Sequence, residues 1–381
     1  MRQMFQIKMP QEVICGEYAI EKLKDKAHGH RKAVIFTDKG VAQAGLVEEP
    51  DRLLREGGCE TEIFDDIPAE PACEQVQQIT DRFLRSGADL IVAVGGGSVM
   101  DTAKLASLAA EGETVKDYIN RPLLGKKRVK TIMIPTTAGT GSEATPNSIV
   151  LVPEQELKIG IVNPEMIADT VILDGMMIRN LPEKIAAATG IDALAHAIEC
   201  FTSNKANEFS DMYAMAALKL IFKYLVEACK NRENIEAKNR MLLAAFYGGV
   251  AITASGTTAV HALSYPLGGK YHIAHGVSNA MLLVPVMRFN KDVCGKELAE
   301  IYDAVGGKTA QTQEGKADWV IAKLEEMVRE LGIPASLKEF GVGREDLEEL
   351  VEAGMKVTRL LDNNKKTVTA DDARALYLEI M

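Results

Sequence analysis

Leu90-Ile91-Val92-Ala93-Val94-Gly95-Gly96-Gly97-Ser98-Val99-Met100-Asp101 is the stretch whose reading decides the fold. Its apolar run shows no polar alternation, which predicts a strand covered on both faces, and the glycines after it predict a tight turn into a helix from Val99 to Ala110. A helix that opens on such a turn offers unpaired N–H groups and its positive dipole end to a pyrophosphate. Gly95, Gly96, Gly97 and Ser98 are therefore candidate phosphate-binding residues. The string has the spacing of neither the G-x-G-x-x-G fingerprint nor the P-loop, so a plain strand-to-helix turn stays open beside that reading.

Working outward, Ala33-Val34-Ile35-Phe36-Thr37 is a second continuous apolar run, and Thr131 to Ile134, Ile149 to Val152 and Ile159 to Val162 look similar. Helical segments at 41–56 and 73–86 lie between the first of them, which gives a βαβα pattern and a mostly parallel, Rossmann-like sheet with right-handed crossovers. Asp38 closes the Ala33 strand. In a dinucleotide fold a carboxylate there accepts hydrogen bonds from the adenosine ribose and repels a 2′-phosphate, favouring NAD(H) over NADP(H); as an ordinary residue it would cap a helix. A second loop, Pro135-Thr136-Thr137-Ala138-Gly139-Thr140-Gly141-Ser142-Glu143-Ala144-Thr145, gathers small hydroxyl donors suited to phosphate oxygens or ribose hydroxyls, or to a solvated turn.

Beyond Pro182 the period changes. Met215, Leu218, Phe222 and Leu225, and again Val320, Leu324, Met327 and Leu331, draw apolar helical stripes, the second ending at Gly332 with Pro334 just beyond. Two domains are expected: an α/β dinucleotide-binding domain at 1–178 and an all-α, metal-binding and substrate domain at 179–381, with ligands in the cleft between them.

Asp192 and His196 fall at i and i+4 on a predicted helix, which places a carboxylate and an imidazole on one face. With His261 and His275 they would complete a three-nitrogen, one-oxygen shell suited to Fe(II), Zn(II), Co(II) or Mn(II). The same pair also reads as a helix salt bridge. His28 and His30 read as loop residues, and His272 either faces the cleft or points outward.

Composition narrows the classes. The chain has 381 residues, 26% charged and 47% hydrophobic, and a net charge of -10, so a nucleic-acid partner is not expected. Six cysteines stand without C-x-x-C spacing, the start MRQMFQIKMP has no apolar core, and no window is long and apolar enough to span a bilayer. The expectation is a reduced, cytoplasmic protein with a small-molecule substrate and no membrane partner.

Together these segments resemble the iron-containing (group III) alcohol dehydrogenases, through Gly95-Gly96-Gly97-Ser98 with Asp101 and Lys104, Pro135 to Glu143, Gly190-Ile191-Asp192-Ala193-Leu194-Ala195-His196-Ala197-Ile198-Glu199, and His261 to Gly276. The resemblance implies a dehydroquinate synthase-like architecture and NAD(H)-linked interconversion of a small alcohol with its aldehyde or ketone. It implies a divalent metal on Asp192, His196, His261 and His275, with Fe(II) favoured and Zn(II) as the alternative. Gly96, Gly97 and Ser98 would surround the pyrophosphate, Thr136, Thr137 and Thr140 would lie near the cofactor with Asp101 and Ser142 in the same motifs, Asp38 would meet the adenosine ribose and Lys158 the nicotinamide ribose. A homodimer or higher homo-oligomer is expected. Two positions depart from the family pattern. Tyr265 stands where many members carry a further His, so Tyr265 or His272 would have to carry the proton, and Glu70 stands where the family has an Asn contact to the cofactor. The competing readings are a dehydroquinate synthase-like lyase, a glycerol dehydrogenase-like polyol oxidoreductase, and a metal or nucleotide binder without turnover.

Overall fold

The computed structural model describes residues 7–153 and 157–381. Lys8–Leu181 and Pro182–Met381 form two compact units. Gly175–Ile178, where the sequence reading ends its first domain, is the closing 3-10 turn of the first unit.

That unit contains the strands β1 (Glu12–Cys15), β2 (Lys32–Phe36), β3 (Glu60–Phe64), β4 (Leu90–Gly95), β5 (Lys130–Pro135), β6 (Asn147–Val152), β7 (Leu157–Val162) and β8 (Thr170–Leu173). Six of them form a parallel sheet in the order β1-β8-β5-β4-β2-β3. β4 is buried along its whole length and β2 from Ala33 onward, which is why neither run alternates. The short edge strands escape the sequence reading: β3, Glu-Thr-Glu-Ile-Phe, buries only Phe64. β8 is fully buried but only four residues long. β6 and β7 depart from the parallel pattern expected of them. They form a separate antiparallel pair in which Leu151 faces Lys158, and β6 buries every second residue.

The helices of this unit are α1 (Leu23–Ala27), α2 (Lys39–Gln43), α3 (Glu48–Glu56), α4 (Cys73–Ser86), α5 (Gly97–Leu108) and α6 (Val115–Asn120). The single helix expected at 41–56 is broken into α2 and α3, because Gly45 takes the left-handed conformation at φ 75. α5 is buried from Val99 to Leu108, as befits a helix that opens at the centre of the sheet.

The second unit is helical: α7 (Glu183–Thr202), α8 (Glu208–Lys230), α9 (Ile235–Ala254), α10 (Ala259–Tyr271), α11 (His275–Ala304), α12 (Gln313–Glu330), α13 (Leu347–Met355), α14 (Thr358–Leu361) and α15 (Ala370–Ile380). No strand occurs in it among the described residues. α12 buries Val320, Leu324, Met327 and the following Leu331, and Gly332 takes φ 66 just past its end, the left-handed stop read from the sequence. On α8 the buried stripe runs through Ala214, Leu218, Ile221 and Leu225, while Met215 and Phe222 are only part-buried at its margin.

α7 is the axis of the unit. It packs against α8, α9 and α11 and is buried from Gly190 to Thr202. Its Ala- and Gly-rich sequence lets neighbours come close. A Cβ at Gly276 would lie 2.4 Å from the carbonyl oxygen of Ala188, so only glycine permits the first turn of α11 to rest on the α7 backbone. That contact carries His275 to the side of Asp192. No single helix among the described residues is long and apolar enough to cross a membrane.

Candidate metal centre and dinucleotide turn

In the helical unit α7 presents Asp192, His196 and Glu199 at i, i+4 and i+7, one stripe of one face. α10 adds His261 from its first turn and α11 adds His275 from its first residue. One ligand atom from each of Asp192, His196, His261 and His275 lies within 4.8 Å of all the others. Asp192 Oδ1 is 3.9 Å from His196 Nε2, 3.5 Å from His261 Nε2 and 3.8 Å from His275 Nε2. Two donors each about 2.1 Å from one ion stand at most about 4.2 Å apart, so these spacings suit a shared cation.

A second observation tests that fit. The carboxamide nitrogen of Asn279, one turn after His275 on α11, lies 2.7 Å from Asp192 Oδ1 and 3.1 Å from both His261 Nε2 and His275 Nε2. Atoms of three candidate ligands thus gather around one neutral N–H donor, the side of them a cation would approach. The Asn279 carboxamide oxygen is buried with no hydrogen-bond partner.

The electrostatics agree. Burial alone would raise the Asp192 pKa, but His196, His275 and His261 hold it well below the usual carboxylate range. Burial also opposes charge on His261, yet Glu199 and Asp192 outweigh it and lift its pKa to about 9. Asp192 and His261 are each held in the charged form by opposite charge, and the site is mostly sheltered from water: Asp192, His196 and His261 are buried and His275 is part-buried.

Tyr265 lies beside this cluster, with its ring centroid 6.1 Å from that of His275. His272 does not join it. It terminates α10 in the left-handed conformation at φ 54 and is exposed.

In the sheet unit the glycine turn follows β4 as read, and α5 starts at Gly97. A Cβ on Gly97 would come within 3.0 Å of Thr140 Cγ2, so the two loops touch through a glycine and a threonine. Thr136 N–H bonds Gly95 O at 3.1 Å, which fastens the loop to the strand end. A cavity of about 500 Å³ opens here, lined by Asp38, Lys39, Asp66, Pro68, Gly96 and Ser98 among others. Asp38 both faces this cavity and caps α2, accepting from Val41 N–H at 2.9 Å.

Asp101 and Ser142 lie behind the turn, in a buried network centred on Lys104. The Lys104 ammonium has four acceptors within reach of its three N–H groups: Asp101 Oδ1 at 3.1 Å, Ser142 Oγ at 2.7 Å, Thr145 Oγ1 at 3.2 Å and Asn147 O at 2.7 Å. Ser142 in turn donates to Asp101 at 2.5 Å, and Asp101 accepts from Ile149 N–H at 2.9 Å. Burial lowers the Lys104 pKa against the pull of Asp101. This lattice ties α5, the threonine loop and β6 into one support for the turn. Glu70, at φ 49, donates its N–H to Ser98 Oγ at 3.0 Å and accepts from Lys158 Nζ at 2.5 Å. The substituted carboxylate therefore pairs the lysine and pins the 66–72 loop to the turn.

Sequence reasoning assigned no role to Glu199, Asn279 or Glu143. The first two had a spacing signal: Glu199 is three residues beyond His196 on the same face, and Asn279 is four beyond His275. Glu143 had none, because its burial depends on how the loop folds back over α5.

Comparison with known proteins follows the same division. Residues 10–175 match the iron-containing alcohol dehydrogenase family, and residues 186–381 match the C-terminal domain of the Fe-containing alcohol dehydrogenase family. The chain is 37% identical over 358 residues to long-chain-alcohol dehydrogenase 1 of Geobacillus thermodenitrificans, covering 92% of this chain and 90% of that protein. It is similar in structure to a 1,3-propanediol oxidoreductase, with TM-score 0.92 and 30% identity over the whole of both chains. It is also similar to a sulfoacetaldehyde reductase from Bifidobacterium kashiwanohense in complex with NAD+, with TM-score 0.88 and 28% identity over 99% of each.

Proposed function

The chain belongs to the iron-containing alcohol dehydrogenase family, and from that premise we propose that Asp192, His196, His261 and His275 hold its divalent metal, Fe(II) in preference to Zn(II). The protein is a metal-dependent, NAD(H)-linked oxidoreductase that interconverts a small alcohol and its aldehyde or ketone. The observation that carries the ligand assignment is the convergence of four donor atoms within 4.8 Å on three different helices. A fourth protein ligand disfavours the lyase alternative, whose centre takes three.

When bound, the ion supplies Lewis acidity to the substrate oxygen and the dinucleotide supplies or accepts the hydride. The chain's own residues do the placing. Asp192 brings the one anionic donor and the imidazoles bring neutral ones, which leaves positive charge on the centre for an oxygen in which negative charge develops. Gly95, Gly96, Gly97 and Ser98 at the start of α5 take the pyrophosphate, with Thr136, Thr137 and Thr140 at its side. Asp38 would meet the adenosine ribose, where its charge would favour NAD(H) over NADP(H). Lys158, paired with Glu70, would meet the nicotinamide ribose. Tyr265, beside His275, is the group we assign to carry the proton between the substrate oxygen and solvent, since His272 stands exposed on its turn.

The test is a panel of short aliphatic, hydroxylated and anionic aldehydes, run with NADH and NADPH on protein reconstituted with Fe(II) or Zn(II). NADH oxidation that needs metal and is fastest with Fe(II) is expected. Equal turnover after metal removal, or a preference for NADPH, would overturn the assignments.

A further inference from the structure

Glu199 is completely buried on α7 and is not one of the four metal-facing residues. Its two oxygens divide their work. Oε1 accepts from Thr258 N–H at 3.1 Å, Thr258 Oγ1–H at 2.6 Å and Val260 N–H at 2.7 Å, so a carboxylate from α7 caps the start of α10, whose own N-cap residue makes no side-chain cap. Oε2 faces His261 Nδ1. Resting on the metal reading above, we propose that Glu199 is a positioning residue that locks the tautomer of His261, forcing the proton onto Nδ1 so that Nε2 keeps its lone pair for the metal.

The argument is one of hydrogen-bond parity. A carboxylate accepts at both oxygens and donates at neither, so every group that touches it must donate. Three of its partners are backbone or hydroxyl donors, and the fourth, His261 Nδ1, has to match them. With Nδ1 committed to the carboxylate, the proton that gives way to a metal is the one on Nε2, and the lone pair it leaves is on the nitrogen 3.5 Å from Asp192 Oδ1 within the ligand cluster. A glutamine of the same shape breaks this parity. Its oxygen would satisfy the three donors at Thr258 and Val260, leaving its NH2 to face Nδ1. That nitrogen would then have to accept, its proton would move to Nε2, and the ligand atom would be blocked. An aspartate is shorter but keeps acceptors on both sides.

Parity and packing therefore predict opposite orders. If Glu199 acted only by filling space, the isosteric Glu199→Gln would be the milder change and Glu199→Asp the harsher. If it locks the tautomer, Asp retains more metal affinity than Gln. The measurement is the Zn(II) dissociation constant of full-length, metal-stripped protein by chelator competition, with His275→Ala as reference. Glu199→Gln is expected to weaken Zn(II) by roughly 10- to 100-fold, the range found for partners that orient metal ligands, and Glu199→Asp by less. In 15N spectra of the metal-free Gln variant, His261 should carry its proton on Nε2. A Gln variant that binds Zn(II) as well as or better than the Asp variant overturns the proposal. Should the Gln variant not fold, the Asp variant decides alone: a loss within about tenfold supports the lock and a larger one overturns it. If His275→Ala itself keeps wild-type affinity, the metal reading has failed instead, so the two failures are distinct.

Discussion

Asn279 Nδ2 donates to Asp192 Oδ1 at 2.7 Å, so α11 holds the ligand of α7 as well as supplying its own. The bond orients the one anionic ligand toward the cluster. Replacing Asn279 with Leu removes that donor and puts an apolar group against three polar atoms. We expect Zn(II) affinity to fall by roughly 10-fold or more, because orienting partners of metal ligands are worth that much. Unchanged affinity in the same chelator competition would show that Asp192 holds its position unaided.

Metal removal should be visible as lost stability of the helical unit. A ligand that binds only the folded state stabilises it by about 2.7 kcal/mol at one hundred times its dissociation constant. For a unit of this size that corresponds to a melting shift of roughly 5 to 10 °C. Differential scanning fluorimetry with and without Zn(II) should show that shift in the wild type and none in His275→Ala. A shift that survives in the variant would place the stabilising ion elsewhere.

What the sequence made legible follows from how local each signal is. β4, its glycine turn and α5 were readable because the code lies within one stretch, and Asp192 with His196 because a helix turns i and i+4 to one side. The β6–β7 pair was not, since an apolar run of six residues carries no information about which strand it joins. Nor were the roles of Glu199 and Asn279. Each has helical spacing from a ligand, but spacing says only that it shares the ligand's face, and its partner lies on another helix. Asp38 shows the opposite limit: both readings of it, helix cap and cavity carboxylate, describe the same side chain.

That double role makes the cofactor test specific. Asp38→Asn keeps a good capping group and removes the charge, whereas Asp38→Gly costs the cap only a few tenths of a kcal/mol as well. Both are expected to raise kcat/KM for NADPH relative to NADH, by about tenfold for each 1.4 kcal/mol of repulsion relieved. If only the Gly variant relaxes the preference, space rather than charge excludes the 2′-phosphate.

Glu143 supplies the pH prediction. It is 2% exposed, and burial pushes its carboxyl up to about 7 from 4.5 against the attraction of Lys104. Lys104 already has Asp101 as its counter-charge at 3.1 Å, so ionised Glu143 is the surplus charge in the network. Because the folded-state pKa is the higher one, the folded protein holds a proton between pH 4.5 and 7 that the unfolded chain has released. Raising the pH through that window therefore draws the equilibrium toward unfolding, by roughly 3 kcal/mol once pH 7 is passed, and lowering it restores the stability. Glu143→Gln carries no such proton. It should melt above the wild type at pH 8, match it more closely at pH 5, and lose the downward slope between them. Urea unfolding across that range measures this directly, and a variant that is less stable at pH 8 with the wild-type slope intact would mean that Glu143 is ionised and satisfied inside the fold.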